Sequence, residues 1–341
     1  MTAFSNIFVD NLEGNWSTFL LLVLAASLDY LIGDPKNLLH PVQVMGWFVS
    51  SYCNLTIKYL SSKWQRKLAG VTLGCSLILG SAVVNWLIVT MANRIHPILG
   101  IGIATIMLAS CFAGRSLRLA AEDVLQPLAT GDLQTARTRL SQYVGRDTSQ
   151  LSNSEVLRAV LETVAENAVD GVTAPLFYAL VGACLSGVGS VPLAFAYKAA
   201  STLDSMVGYR REPYTDIGWF SAQLEDYLTW LPCRLTVITV ALLGRKPRQV
   251  WDLCRRDATK DPSPNSGWSE CAYAAVLGVQ LGGTNYYQGV AKHKPILGEE
   301  IHPITPEKIE QALQLNRHCF LLWLSIVLAI FTVLGCFSKL S

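Results

Sequence analysis

The sequence predicts an all-α, polytopic integral membrane protein with about four to six membrane segments joined by helical cytoplasmic loops. Of its 341 residues, 51% are hydrophobic and only 15% are charged, and the mean hydropathy is +0.34. In a chain of this length, these values favour helices that cross lipid over one oversized core. Lys and Arg lie in short clusters between apolar runs, and the net charge of +2 does not indicate nucleic-acid binding.

The apolar runs predict the spans in chain order. No Lys or Arg precedes the first run, so we interpret it as a retained span and not as a cleaved signal. The basic loop 33–68 should be cytoplasmic, and the loop 114–173 beyond the next hairpin of spans should lie on the same side. The predicted spans are residues 16–32, 69–93, 97–113, 226–243 and 318–338.

The stretch 171–197 has no Asp, Glu, Lys or Arg, but several glycines and Pro192 interrupt it. It either spans once or dips into the membrane and returns as a broken segment. We favour the broken path, because a single crossing would separate the loop that follows from the acidic motif that precedes the stretch. We predict one membrane-embedded domain over 1–341, with a cytoplasmic helical loop at 114–173 and a polar loop region at 244–317.

The loop 114–173 reads as three amphipathic helices, at residues 115–128, 132–143 and 153–169. Asp132 and Asn153 are suitable N-caps for the last two, because a short polar side chain can accept a hydrogen bond from a free N–H of the first turn. The third helix carries the main chemical motif of the chain.

That motif contains three carboxylates, Glu162, Glu166 and Asp170, at four-residue spacing, with Asn167 at the edge of the same helix face. Like charges at this spacing repel each other, so the arrangement does not stabilise an isolated helix. Oxygen ligands so placed suit Mg²⁺ with a phosphorylated substrate. The alternative is a solvated acidic face.

Two other segments combine basic residues with turn residues. Arg146 and Asp147 follow Gly145 in a charged turn, where backbone N–H groups and a guanidinium group can hold a phosphate. Lys198 and Asp204 bracket a segment rich in Ser and Thr that we interpret as a turn, and Arg210 follows it. This second segment is either an anion site or a solvated loop.

Two turns carry further candidates for ligand binding. Asp34 and His40 flank a turn after the first span, where His40 is either an acid–base group or an ordinary turn residue. Ser263 and Asn265 lie in a segment rich in Pro, Ser, Asn and Gly, which offers amides and hydroxyls to a polar ligand but is also typical of a simple turn.

Together, five motifs in the same order resemble one family, the membrane-bound CobD/CbiB proteins of cobalamin biosynthesis, known as adenosylcobinamide-phosphate synthases. The resemblance covers about residues 25–300. The motifs are Gly33-Asp34-Pro35 with His40-Pro41-Val42 and Met45-Gly46, Val144 to Thr148, Glu162 to Pro175, Tyr197-Lys198-Ala199 with Thr202 to Tyr209, and Ser263 to Gly267.

The resemblance implies a ligase that joins the propionate carboxylate of adenosylcobyric acid to the amine of an aminoalcohol, aminopropanol phosphate, with consumption of ATP. An acyl-phosphate would activate the carboxylate, and Mg²⁺ would neutralise the phosphate oxygens. On this hypothesis Glu162, Glu166 and Asp170 bind the metal. We assign the other roles as follows: Asn167 positions a ligand, Lys198 and Arg146 balance phosphate charge, and Asp204 or Asp147 binds a second metal or takes the amine proton.

The expected partners are the corrinoid, the aminoalcohol phosphate and membrane lipid, but not nucleic acid. A homo-oligomer and contact with other late enzymes of the cobalamin pathway both stay open. We expect the protein in the cell inner membrane with its active site facing the cytoplasm. The rival functions are a polytopic transporter or binding protein, and a Mg²⁺-dependent membrane transferase of phosphorylated alcohols.

Overall fold

A computed structural model describes residues 15–35, 39–185, 187–209 and 212–338. Within these ranges the chain forms helices and one two-stranded antiparallel sheet. The elements are α1 (Asn15–Leu31), α2 (Pro41–Tyr59), α3 (Lys63–Ile95), α4 (Pro97–Ala109), α5 (Gly114–Ala129), α6 (Leu133–Leu140), α7 (Asn153–Asn167), a π-helical turn (Ala168–Thr173), α8 (Ala174–Cys184), α9 (Ser190–Val207), α10 (Trp219–Leu243), α11 (Pro247–Asp257), a 3₁₀ turn (Ala258–Lys260), α12 (Ser266–Leu277), β1 (Gln280–Tyr287), β2 (Val290–Gly298) and α13 (Pro306–Ser338).

Several helices are long and apolar enough to cross a membrane. In the described ranges, length and composition identify four: Lys63–Ile95, Pro97–Ala129, Trp219–Leu243 and Pro306–Ile330. The apolar helix Ser17–Leu31 is shorter. These findings confirm the predicted all-α, multi-pass membrane class. The small two-stranded sheet does not change this fold class.

The chain divides into two compact units, each assembled from separate stretches of the sequence, and the single membrane-embedded domain stays a prediction. Unit 1 comprises the described parts of Met1–Ala113, Ala174–Leu228 and Leu322–Ser341, and unit 2 comprises Gly114–Thr173 and Thr229–Leu321. The predicted helical loop 114–173 and the predicted polar region 244–317 therefore both belong to unit 2.

In unit 1 the stretch that follows the acidic motif turns back on itself. α8 and α9 are joined at 185–189 and pack together. A side chain at Gly182 would collide with the carbonyl of Gly189, so glycine permits this close approach. The Tyr178 and Tyr197 rings stack with centroids 4.9 Å apart. In the described part of the stretch, two packed helices take the place of one continuous helix, and the path of this pair through the membrane stays a prediction.

The central helix of unit 1 is α3, which packs against α9 and α4. Two of its glycines allow the backbone segment that begins α10 to approach closely. A Cβ at Gly70 would overlap the carbonyl oxygen of Ile217, and one at Gly74 would lie 2.6 Å from the Phe220 ring. These positions therefore require glycine for packing.

In unit 2 the region predicted as polar loops contains α11, α12, a hairpin and the first part of α13. β1 and β2 pair through a two-residue turn at Gln288-Gly289, where φ is +52° and +79°. Two successive positive φ angles are typical of the type I′ turn, whose twist matches that of paired strands. β1 and β2 both pack against α12, and α12 also packs against α7. The hairpin thereby reaches the helix that carries the acidic motif.

Two details of the loop 114–173 correct the sequence analysis. Asp132 caps α6 as predicted, since its carboxylate accepts the Thr135 N–H at 3.0 Å. The cap of α7 is Ser152 and not Asn153: Ser152 and Glu155 form a reciprocal capping box, and Asn153 is the first helical residue. α7 also ends at Asn167, and the wider π-helical turn that follows removes Asp170 from the regular stripe of Glu162 and Glu166.

Candidate active site

The carboxylate of Glu162 is the centre of a buried ionic network in unit 2. Glu162 is 1% exposed. Arg146 Nη2 lies 2.6 Å from its Oε2, and Arg158 Nη1 lies 3.2 Å from its Oε1. The backbone N–H of Gly282 also donates to Oε1, at 2.9 Å. Both oxygens are therefore engaged, and Glu162 is placed to hold α7, the 145–148 turn and the hairpin together.

Asn285 completes the coordination of the two arginines. Its Oδ1 accepts from Arg146 Nη1 at 3.0 Å and from Arg158 Nη2 at 3.1 Å. Arg158 also donates to the carbonyls of Gly282 and Thr284. The guanidinium predicted to bind phosphate, that of Arg146, is thus held by two side chains of unit 2.

A second ion pair lies beside this network. Lys294 Nζ, from β2, is 3.0 Å from Oε1 of Glu270 on α12, and Glu270 is fully buried. Burial raises the pKa of the Glu270 carboxyl to about 8 against the opposing effect of the Lys294 ammonium, and the charges of Glu162 and Glu166 raise it further. The three neighbouring carboxylates raise the pKa of Lys294 although burial opposes them, so its ammonium stays charged.

Glu166 differs from its two acidic neighbours. It is half-buried and makes no direct hydrogen bond or ion pair through its carboxylate to another described side chain, although its charge acts on both Glu270 and Lys294. Asn167, one residue further on, donates its amide back to the carbonyl of Thr163 at 2.9 Å. Of the acidic side chains in this cluster, Glu166 is therefore the one best able to accept a ligand.

The predicted three-carboxylate metal set is not assembled. Within the described ranges, no group of three or more His, Cys, Asp or Glu side chains is arranged to hold a metal ion. Glu162 is engaged by two guanidinium groups, and Asp170 lies half-buried on the π-helical turn. The Glu162 carboxylate, paired in this way, does not fit a resident Mg²⁺, and the metal roles of Glu166 and Asp170 stay predictions.

The turn around Asp147 is held by the hairpin. The carboxylate of Asp147 accepts the N–H groups of Gln288 at 3.1 Å and Gly289 at 2.7 Å, and its own N–H donates to the Tyr286 carbonyl at 2.8 Å. These bonds satisfy the backbone of the tight turn. The proposed role of Asp147 towards metal or amine stays a prediction.

Ser263 and Asn265 form the turn that starts α12. The Ser263 hydroxyl accepts the N–H groups of Asn265 and Ser266, both at 3.2 Å, while Asp261 accepts the Ser263 N–H at 2.9 Å. Asn265 is buried, and its carbonyl accepts from the Cys233 thiol. The turn is the one expected from its composition, and ligand binding by these residues stays a prediction.

The remaining candidates lie in unit 1. His40 caps α2 through its ring, which accepts the Val42 N–H at 3.3 Å, and its Nε2 lies 3.1 Å from the Asp34 carboxylate. The segment with Lys198 and Asp204 is not the predicted turn but part of α9. The hydroxyl of Thr202 donates to the carbonyl four residues earlier, which satisfies it inside the helix. Arg210 lies outside the described residues.

Four residues of the network were missed by the sequence analysis: Arg158, Glu270, Asn285 and Lys294. Arg158 carried a usable signal, because it precedes Glu162 by one helical turn. Glu270 and Lys294 carried none, since they are 24 residues apart and meet only through the packing of α12 on the hairpin.

Comparison with known proteins shows the family of this chain. Residues 22–316 match the CobD/Cbib protein family. The class defined by fold and site is a helical multi-pass membrane protein with a charged network next to its hairpin, and within that class the chain belongs to the CobD/CbiB family. This result confirms the resemblance given by the sequence motifs.

Individual relatives support the same assignment. The chain is 57% identical over 310 residues to the "Cobalamin biosynthesis protein CobD" of Synechocystis sp., covering 90% of this chain and 91% of that protein. It is 42% identical over 302 residues to the protein of the same name in Halalkalibacterium halodurans, covering 87% and 91%. It is 38% identical over 317 residues to the "Cobalamin biosynthesis protein CbiB" of Salmonella typhimurium, covering 92% and 95%. No solved structure matches the chain.

Proposed function

We propose that this protein acts in cobalamin biosynthesis as an ATP-dependent ligase that forms adenosylcobinamide phosphate. The carboxylate of adenosylcobyric acid attacks the γ-phosphorus of ATP, which gives an acyl-phosphate and ADP. The free amine of aminopropanol phosphate then attacks the acyl carbon, forming the amide and releasing inorganic phosphate. The ammonium form of the amine loses one proton before the attack.

The roles of the residues follow from their contacts. Glu162 and the two arginines form the rigid base of the site, whereas the open carboxylate of Glu166 contacts substrate. Mg²⁺ enters as part of the MgATP substrate and supplies charge neutralisation on the phosphates. Asp170 is a further candidate for substrate contact in unit 2. Lys198, Asp204 and Arg210 stay candidates from the sequence motifs alone. We place the protein in the cell inner membrane with this site facing the cytoplasm, where ATP is available.

The observation that carries the proposal is the family match over residues 22–316. The test is an assay of detergent-purified protein with adenosylcobyric acid, ATP, Mg²⁺ and aminopropanol phosphate, in which the corrinoid product is followed by mass. We expect a mass gain equal to condensation that is lost without ATP. Folded protein that makes no product with any aminoalcohol would contradict the ligase.

The same assay separates the rivals named above. A transporter should not break down ATP in a manner that depends on both the corrinoid and the aminoalcohol. A transferase of phosphorylated alcohols should turn over without a corrinoid. Formation of ADP and phosphate in proportion to amide excludes both.

We predict that Glu166→Gln lowers kcat at least about 100-fold, because its uncharged amide removes the one open carboxylate of the network. The unfolding temperature should stay close to that of the wild type, since Glu166 forms no ion pair with another described side chain. Glu122→Gln, which affects a carboxylate 3.6 Å from Arg118 on α5, is the matched control with unchanged kcat. Normal turnover of Glu166→Gln would remove this residue from the mechanism.

A further inference from the structure

Lys294 has hydrogen-bonding capacity that its described surroundings do not use. An ammonium group has three donors. In the described part of the chain, the Lys294 ammonium has a single direct partner, Oε1 of Glu270 at 3.0 Å. Its side chain is nevertheless only 23% exposed. A cation that is largely withdrawn from water and has free donors is suited to receive an anion.

The other cations of the network do not have this property. Arg146 and Arg158 are 8% and 13% exposed, and both are bound to Glu162 and Asn285. Arg158 makes further bonds to two carbonyls of the hairpin. Lys294 is therefore the most accessible positive charge of the three and the least engaged.

Glu270 fixes the position of this lysine. Glu270 is fully buried, and its Oε2 has no hydrogen-bond partner in the described part of the chain. The carboxylate lies on α12 beside Glu162 and Glu166, whose charges act on it. It thus engages one donor of the Lys294 ammonium from a fully buried position, while the lysine side chain itself stays 23% exposed.

We propose that Lys294 binds the phosphate of a zwitterionic aminoalcohol phosphate, that the neighbouring Glu166 carboxylate faces its ammonium group, and that Glu270 is the positioning residue for Lys294. This inference rests on the proposed function and deepens it by assigning the subsite of one substrate. The charges of Lys294 and Glu166 together favour a ligand that carries both signs. A phosphate alone beside Glu166 would be repelled, whereas a ligand with both charges satisfies Lys294 and Glu166 together.

The phosphates of ATP have the same chemistry, so the experiment must separate the two sources. We propose to measure KM for aminopropanol phosphate and for ATP, and the rate of any reaction with unphosphorylated aminopropanol. The variants are Lys294→Gln, Lys294→Arg and the double variant Glu270→Gln/Lys294→Gln. Lys292→Gln is the matched control, because Lys292 is an exposed lysine two positions earlier on the same strand.

We expect Lys294→Gln to raise KM for aminopropanol phosphate about 10- to 100-fold, the range for loss of a charge-assisted hydrogen bond. KM for ATP and the rate with unphosphorylated aminopropanol should change less than about twofold. Lys294→Arg should recover part of the affinity. Lys292→Gln should behave as the wild type.

The double variant distinguishes two explanations of a raised KM for aminopropanol phosphate. Lys294 either binds the phosphate of the substrate or only neutralises the charge of Glu270. It removes both charges, so the buried carboxylate is no longer unpaired. Recovery of the wild-type KM in the double variant would overturn the inference, as would a rise confined to the KM for ATP. A KM that stays raised in a folded double variant supports it.

Failure of the ligase proposal can be told apart from failure of this inference. If the wild type makes no product, calorimetric binding of aminopropanol phosphate to purified wild type and Lys294→Gln decides the subsite alone. Loss of binding in the variant supports the inference. Absence of binding in the wild type, or equal binding in both proteins, overturns it. Inorganic phosphate as the second probe should bind more weakly than the zwitterion.

Discussion

At the scale of single residues, Glu162 and Glu166 have different roles although both belong to the same four-residue repeat. They lie one helical turn apart on α7, and the sequence pattern does not distinguish one from the other. Two guanidinium groups surround Glu162, whereas Glu166 has no direct ionic partner among the described side chains. The partners come from the 145–148 turn and from Arg158, so tertiary packing decides which carboxylate is structural.

We predict that Glu162→Gln destabilises unit 2 by about 3–5 kcal/mol, because the substitution leaves two largely buried arginines without their carboxylate. The measurement is thermal or denaturant unfolding of purified protein. The control Glu122→Gln breaks a partly exposed i,i+4 pair with Arg118 and should change stability by less than about 1 kcal/mol. Equal effects of the two substitutions would contradict a structural role for Glu162.

The buried carboxyl of Glu270 makes stability depend on pH. Burial raises its pKa from 4.5 to about 8. A carboxyl with a raised pKa binds its proton more tightly in the folded protein. Its contribution to stability is therefore complete below pH 4.5 and is lost as the pH rises to about 8.

We predict that the unfolding temperature of the wild type falls between about pH 5 and pH 8 more steeply than that of Glu270→Gln. The amide resembles the protonated carboxyl and does not titrate, so the comparison tests the pH dependence. The substitution also removes the ion pair with Lys294, so the slopes of the two profiles are compared and not the absolute unfolding temperatures. Unfolding of both proteins across this range is the measurement. Parallel pH profiles would show that Glu270 does not carry a raised pKa.

At the scale of elements, the sequence predicted the existence of helices more accurately than the residues at which they begin and end. The apolar runs identified α3, α4, α10 and α13, because a span of lipid requires a long uncharged stretch. The cap of α7 was misplaced by one residue, since Ser152 and Asn153 are both good capping residues and only the capping box with Glu155 separates them. The segment between Lys198 and Asp204, which was expected to be a turn, is helical. The hydroxyls of Thr202 and Ser205 donate there to carbonyls four residues earlier in α9, so Ser and Thr are accommodated within the helix.

We predict that Ser152→Ala destabilises unit 2 by about 1 kcal/mol, the usual effect of losing an N-cap. Asn153→Ala is the matched control and should have little effect, because Asn153 is already inside the helix. Hydrogen exchange of the first-turn amides of α7 measures the local change. Faster exchange in Asn153→Ala than in Ser152→Ala would restore the cap assignment made from the sequence.

At the scale of the whole molecule, the family and the fold class could be predicted, but only part of the site could. Five motifs in order identified the family, which the match over residues 22–316 confirms. The pairing of Glu270 with Lys294 could not be predicted, because it depends on how the hairpin packs against α12 in three dimensions. Local sequence patterns predict local structure only. The charged network is assembled from four separate segments, so these patterns could not predict it.

The side of the membrane on which unit 2 lies is the last test of the proposed function, because ATP is available only in the cytoplasm. The basic residues of loop 33–68 predict a cytoplasmic position for that loop and for 114–173. A cysteine in place of Ser149, an exposed residue of the second loop, should react with a membrane-impermeant maleimide in inside-out vesicles but not in intact cells. The exposed Cys75 and Cys184 are first replaced by Ser, and that parent protein is the control. Labelling of Ser149→Cys in intact cells would place the charged network outside and contradict an ATP-dependent reaction there.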